Sequence, residues 1–158
     1  MASTGLEVFD RTLHITHTWL DEIMAEIGPD RQRAWHVLSA VLRTLRDRVP
    51  LELAVHLGAQ LPLLVRGTYY EQWHVTREPE RIRDPDEFLA RVAEKLAGSR
   101  PVNTRDATRA VLRALSRHVD RGQVVKVREA LPQQIRDLWP LDEPPAANGA
   151  PGRPGDAA

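Results

Sequence analysis

Arg66, Tyr69, Tyr70 and Trp73 are the most distinctive group of residues in this chain. Tyr70 and Trp73 are three apart, and Tyr69 and Trp73 four apart, so a helix would collect them on one face. Arginine and aromatic side chains dominate binding hot spots. They also fill cores, where the tyrosine hydroxyl and indole N–H need partners. Gly67, among them, permits close approach of another backbone or ends a turn. The group is a candidate interaction surface, and burial in the core is the competing reading.

Other constellations are weaker. His14 and His17 are three apart with Asp21 four further on, so a helix could offer two imidazoles and a carboxylate to a metal, with His36 or Asp10 as a further ligand. The plainer reading is a polar helix face, and no metal is expected. Arg31, Arg33, Arg43, Arg46 and Arg48 give one helix a basic side; Asp47 interrupts it and can pair with Arg43. A solvated, charge-laced face is expected there rather than a nucleic-acid site, since no reading motif accompanies it. Glu22, Glu26, Asp84, Asp86 and Glu94 form no recognisable catalytic pair. Ser39, Ser99 and Ser116 lack a nucleophile-elbow context. Gly67 and Gly98 are isolated, so no phosphate loop and no cofactor are indicated.

Composition narrows the classes further. The chain has no cysteine, which excludes disulfides, thiolate catalysis and Cys-based zinc sites. Its 22 basic and 22 acidic residues balance, so no global charge draws it to nucleic acid or to an anionic membrane. No apolar run approaches the roughly 18 residues of a membrane span, and residues 1–10 show no secretory signal. The expected compartment is the cytoplasm. Only Lys95 and Lys126 are lysines; this arginine excess, with many alanines, suggests a GC-rich bacterial genome.

These residues must be positioned by helices. Leu20, Ile23, Met24 and Ile27 have helical spacing, closed by Gly28-Pro29 with Asp30 as the next cap. Trp35, Leu38, Leu42, Leu45 and Val49 form the buried stripe of a long helix over about 31–48, which Pro50 ends. Leu53, Leu57 and Leu61 line a third helix, broken at Pro62, and a fourth is predicted over about 63–73. Val8, Phe9, Leu13 and Ile15 predict a helix at the start of the chain that runs into the first of these.

A similar order follows. Asp84 caps a helix with Pro85 in its first position and Glu87 placed for a capping box. Phe88, Leu89, Val92 and Leu96 form its apolar face, and Gly98 ends it. Asn103 or Thr104 caps a second long helix over 104–119, Gly122 marks a turn, and Val124, Val127, Leu131 and Ile135 carry the last helices. No segment alternates as a strand would, so no sheet is predicted. The segment 141–158, rich in Pro, Gly and Ala, cannot bury enough apolar surface to order itself and is expected to be a disordered tail.

The two halves match each other. A shift of 70 positions lays Val41-Leu42-Arg43 on Val111-Leu112-Arg113, Leu45 on Leu115, Val49 on Val119, Leu61-Pro62 on Leu131-Pro132 and Arg66 on Arg136. One residue less lays Trp19-Leu20 on Phe88-Leu89 and Ile23 on Val92. The reading is an all-α, pseudo-symmetric bundle in residues 1–140, built from repeats 19–70 and 88–140. Two copies are too few for an open solenoid.

Leu45-Arg46-Asp47-Arg48-Val49-Pro50 and Ala59 through Trp73, with Leu131-Pro132 through Leu138-Trp139-Pro140, resemble a bacterial family catalogued as domain of unknown function 2267. The resemblance spans about Leu13 to Pro140. It implies a helical bacterial protein with no assigned activity, and it supplies no catalytic residues to carry over.

The function expected is a non-catalytic interaction or scaffold module that binds another protein or itself. The alternative is a small-molecule or metal-dependent enzyme using a groove between the halves.

Overall fold

Caps and prolines set the helix boundaries. The computed structural model describes residues 4–141. It contains α1 (Glu7–Ile27), α2 (Arg31–Arg48), α3 (Leu51–Gln60), α4 (Leu63–Tyr70), α5 (Pro85–Lys95), α6 (Thr104–His118), α7 (Arg121–Glu129) and α8 (Gln133–Arg136). The described residues are thus all-helical, with no strand among them. The tail expected over 141–158 lies outside the described residues except for Leu141, which packs against the core.

Side-chain oxygens satisfy the free N–H groups at helix starts. Asp30 accepts from Arg33 N at 3.0 Å, Asp84 from Glu87 N at 2.9 Å, Asn103 from Asp106 N at 3.0 Å and Asp120 from Gln123 N at 3.3 Å. The Glu87 carboxylate reaches back to Arg83 N at 2.9 Å, one residue upstream of the cap. Pro50, Pro62 and Pro132 stand at the N-caps of α3, α4 and α8. The chain turns after α1 and after α5 through Gly28 and Gly98, whose φ values of 113° and 85° lie in the left-handed region that glycine adopts without a Cβ clash.

Helices α2 and α6 lie at the centre and pack on each other. Around them α1 lies against α6 and α2, and α5 against α2 and α6. The α3 and α7 helices meet at one end. The short α4 packs on α2, α1 and α3, while α8 packs on α5 and α7. Val37, Leu38, Val41, Leu42 and Leu45 of α2 are fully buried, as are Ala107, Val111 and Leu115 of α6. Trp19, Tyr69, Phe88 and Trp139 are the largest rings in the core. A Trp-sized side chain removes roughly 150–250 Å² from water, worth about 4–6 kcal/mol at ~25 cal/mol per Å².

The fourth helix is shorter than its spacing predicts. It ends at Tyr70, where Glu71 is extended (φ −60°, ψ 141°) and Gln72 is left-handed at φ 56°. Trp73 therefore lies beyond the helix. The cause is tertiary: Arg46 of α2 donates Nη1 to the carbonyls of Tyr69 at 2.7 Å and Glu71 at 3.0 Å, capping α4 from outside.

Candidate functional site

The Arg66, Tyr69, Tyr70 and Trp73 group does not share one face. Tyr69 is 0% exposed, and its hydroxyl donates to Ala54 O at 2.5 Å. Burial, foremost, pushes that hydroxyl's pKa well up, so it stays protonated. Arg66 donates Nε to Gly58 O at 2.9 Å and Nη2 to Ala59 O at 3.1 Å and Leu61 O at 2.9 Å. Those carbonyls end α3, where the helix runs out of backbone donors (only Gly58 O also accepts from Leu61 N, at 3.2 Å), so a guanidinium suits them. Tyr70 is half-buried and stacks on Trp73 with ring centroids 5.6 Å apart, and Arg46 stands 5.5 Å over the Trp73 ring. Tyr70 and Trp73 do meet, as their spacing suggests, but through the turn at Gln72.

The basic side of α2 is not a solvated face. Arg46 is 4% exposed and meets the α4 carbonyls. Arg43 donates Nε to Thr68 O at 2.9 Å and Nη2 to the Glu71 carboxylate at 2.9 Å. Arg48 donates to Ile82 O at 2.7 Å, and Arg33 to Pro101 O at 3.0 Å and to Ile27 O. Only Arg31 keeps the expected surface role, 4.0 Å from Asp21. Spacing cannot show this, because the acceptors lie in segments distant in sequence. His14 is exposed, Asp21 faces Arg31, and among the described residues no three His, Asp or Glu side chains are arranged to hold a metal ion.

The open site lies beside the predicted group. A cleft of about 560 Å³ runs between α2, α4 and the α5–α6 turn. Leu63 and Leu64, 54% and 39% exposed, form one wall with Gly67. Trp35 and Ala40 of α2 form the floor, and Lys95, Gly98 and Ser99 the far rim. Sequence reasoning passed over Leu63 and Leu64 as ordinary helix residues. Their signal was available: positions 63, 64 and 67 face away from the stripe of Val65 and Tyr69, so apolar residues there have no core to enter.

The polar groups of the cleft are largely committed. Ser39 donates to Trp35 O at 3.0 Å, and its oxygen lies 2.7 Å from the Thr68 hydroxyl. Arg43 Nη2 donates to that hydroxyl at 3.2 Å. The arrangement that satisfies all three has Thr68 donating to Ser39, so neither hydroxyl is a free nucleophile. His36 Nδ1 stands 3.3 Å from Ser99 Oγ at the rim. Asp30, near this rim, is held below the ordinary carboxylate range, first by the hydrogen bond from Arg33 N; burial opposes this, and Arg100, 2.8 Å away, and the Arg33 charge add to the lowering.

Residues 61–69 and 131–139 show the same burial class at every position. Arg136 donates Nε to Leu131 O at 2.9 Å and Nη2 to Glu129 O at 2.7 Å, as Arg66 does to Leu61 and Ala59. Trp139 is buried like Tyr69, its Nε1 donating to Ser116 Oγ at 2.8 Å. The solvent-facing residues differ: Leu63, Leu64 and Gly67 stand against Gln133, Gln134 and Asp137.

Among the described residues the fold is all-helical, eight helices with a partly apolar cleft between α2, α4 and the α5–α6 turn. Its family is shown by comparison: the model of an uncharacterized conserved protein family, DUF2267, matches residues 16–138, and the chain belongs to that family. No curated protein matches the chain.

Proposed function

We propose that this protein is a non-catalytic interaction module of the bacterial cytoplasm that docks a partner protein in the cleft between α2, α4 and the α5–α6 turn. The observation that carries this reading is the wall of Leu63 and Leu64. Two leucines left open beside a half-buried Trp35 form a contiguous apolar patch rimmed by polar groups, as interaction sites do. Together with Gly67 they replace Arg66 and Tyr69 as the surface the partner meets.

The module is read as two copies of one four-helix unit, α1–α4 and α5–α8, about a pseudo-twofold axis. Three features support this. The first helix of each run packs on the second helix of the other. The Val49 and Val119 N–H groups close α2 and α6 onto Leu45 and Leu115. Arg66 and Arg136 cap the helices before them. In this reading the cleft exists because α5 of one copy lies on α2 of the other.

Affinity capture from the native host tests the docking. The wild-type chain should retain a partner that Leu63→Glu/Leu64→Glu loses, with the variant's circular dichroism unchanged. Identical captured sets from both proteins would sink the reading. An enzyme acting on a small molecule in the same cleft is the second reading, favoured by the His36–Ser99 contact. The 3.3 Å separation is long for an activated hydroxyl. Turnover of an ester panel that Ser99→Ala abolishes would establish it.

A further inference from the structure

We propose that the cleft takes an amphipathic segment whose apolar residues are flanked by acidic ones; this rests on the docking reading above. Two observations point to it.

The first is Gly67. A glycine inside a helix is less stable than alanine by about 0.5–1 kcal/mol, and among the described residues no close approach requires it at this position. A Cβ placed at Gly67 would have no heavy atom within 4 Å. Gly58 is the contrast, since its Cβ would lie 2.1 Å from the Tyr70 hydroxyl, so a larger residue there would force Tyr70 aside. Gly67 instead leaves the α4 backbone bare at the cleft. An incoming apolar side chain can lie against it, between Leu63, Leu64 and Trp35.

The second is charge. Past His36, Gly98 and Ser99 the cleft adjoins a smaller groove reaching Arg33 and Arg100. Across both, the cations are Arg33, Arg43, Lys95 and Arg100, and the acids are Glu71 and Asp30. Glu71 is matched by Arg43 and Asp30 by Arg100. Arg33 donates to backbone carbonyls and shares the single Asp30 carboxylate with Arg100, so four cations face two acids. Lys95 has no salt-bridge partner among the described residues. A chain of zero net charge thus holds a net positive strip beside an apolar wall. Such a strip favours carboxylates on the partner and speeds their encounter.

Selection of short random phage-displayed peptides on the full chain tests this, with Leu63→Glu/Leu64→Glu as the counter-selection target. Enriched peptides should carry Leu or Phe at helical spacing flanked by Asp or Glu. Their fluorescence polarisation should show about tenfold weaker binding to Gly67→Leu. Lys95→Glu should weaken binding severalfold and flatten its salt dependence. Basic or uncharged peptides, or an unchanged Lys95→Glu, would overturn the acidic partner and leave the docking reading standing. Enrichment that persists on the counter-selection target would overturn both. No enrichment over the input library would overturn the proposal. So would a DNA duplex binding with the same Lys95 dependence and none on Leu63 or Leu64, which would point to nucleic acid instead.

Discussion

Helices α4 and α8 carry the same inward face and different outward faces. Val65 and Tyr69 are buried in α4 as Ile135 and Trp139 are just at and after α8. Arg66 and Arg136 lie half-buried over the carbonyls of the preceding helix. Outward, α4 shows Leu63, Leu64 and Gly67 where the other segment shows Gln133, Gln134 and Asp137. Residues that hold the bundle together match, and those that meet solvent do not. Two polar outward faces would make α4 a plain surface helix. The apolar one needs a reason that the fold does not supply.

Truncating the matched positions should have the largest effect. Tyr69→Ala and Trp139→Ala should each destabilise the protein by ~3–5 kcal/mol, read from urea unfolding midpoints. A small loss at either site would mean the two segments are not equivalent in the core. Arg66→Met and Arg136→Met should each cost about 1–3 kcal/mol, because each leaves helix-ending carbonyls without a donor. Unequal losses would sharpen the comparison by showing which half carries more of the stability.

The glycines should move in opposite directions. Gly58→Ala should destabilise by ~1–3 kcal/mol as Tyr70 is forced aside, while Gly67→Ala should stabilise by about 0.4–1 kcal/mol. If Gly67→Ala also destabilises, the fold requires that glycine and the outward face loses its separate status. Making α4 resemble α8 with Leu63→Gln/Leu64→Gln should leave stability within about 0.5 kcal/mol while abolishing partner capture.

The smallest effect is expected from pH. Asp30 titrates below its ordinary value of 3.8 in the folded protein. The stability it contributes is therefore present above that value and lost as pH falls through the lower folded one. Asp30→Asn keeps a capping oxygen but removes the charge. Its unfolding midpoint should fall less between about pH 5 and pH 3 than that of the wild type.

Much of the fold was readable in the residues. The a-helical periods, Asp30, Asp84 and Asn103 as caps, and the breaks at Pro50 and Pro62 depend on neighbours within one or two turns, so the chain announces them locally. The end of α4 was not readable, because Arg46, more than twenty residues away, decides it. The separation of Arg66 and Tyr69 from Tyr70 and Trp73 was not readable for the same reason. Residue type marked Arg66, Tyr69 and Trp73, but type alone does not distinguish a ring that fills a core from one that offers a surface.

Local order is therefore what the sequence determined by itself: the all-helical character of the described residues, with its capped starts and proline stops. Helix formation and capping involve groups a few residues apart, so composition and spacing suffice. Which arginines are buried, where α4 stops and which face of it stays open were decided only by the tertiary structure. A guanidinium's partner is whichever carbonyl the packing brings within reach, and here those carbonyls lie on other helices and on the loops between them. The same packing buries Tyr69 and leaves Leu63 and Leu64 on the rim of a cleft.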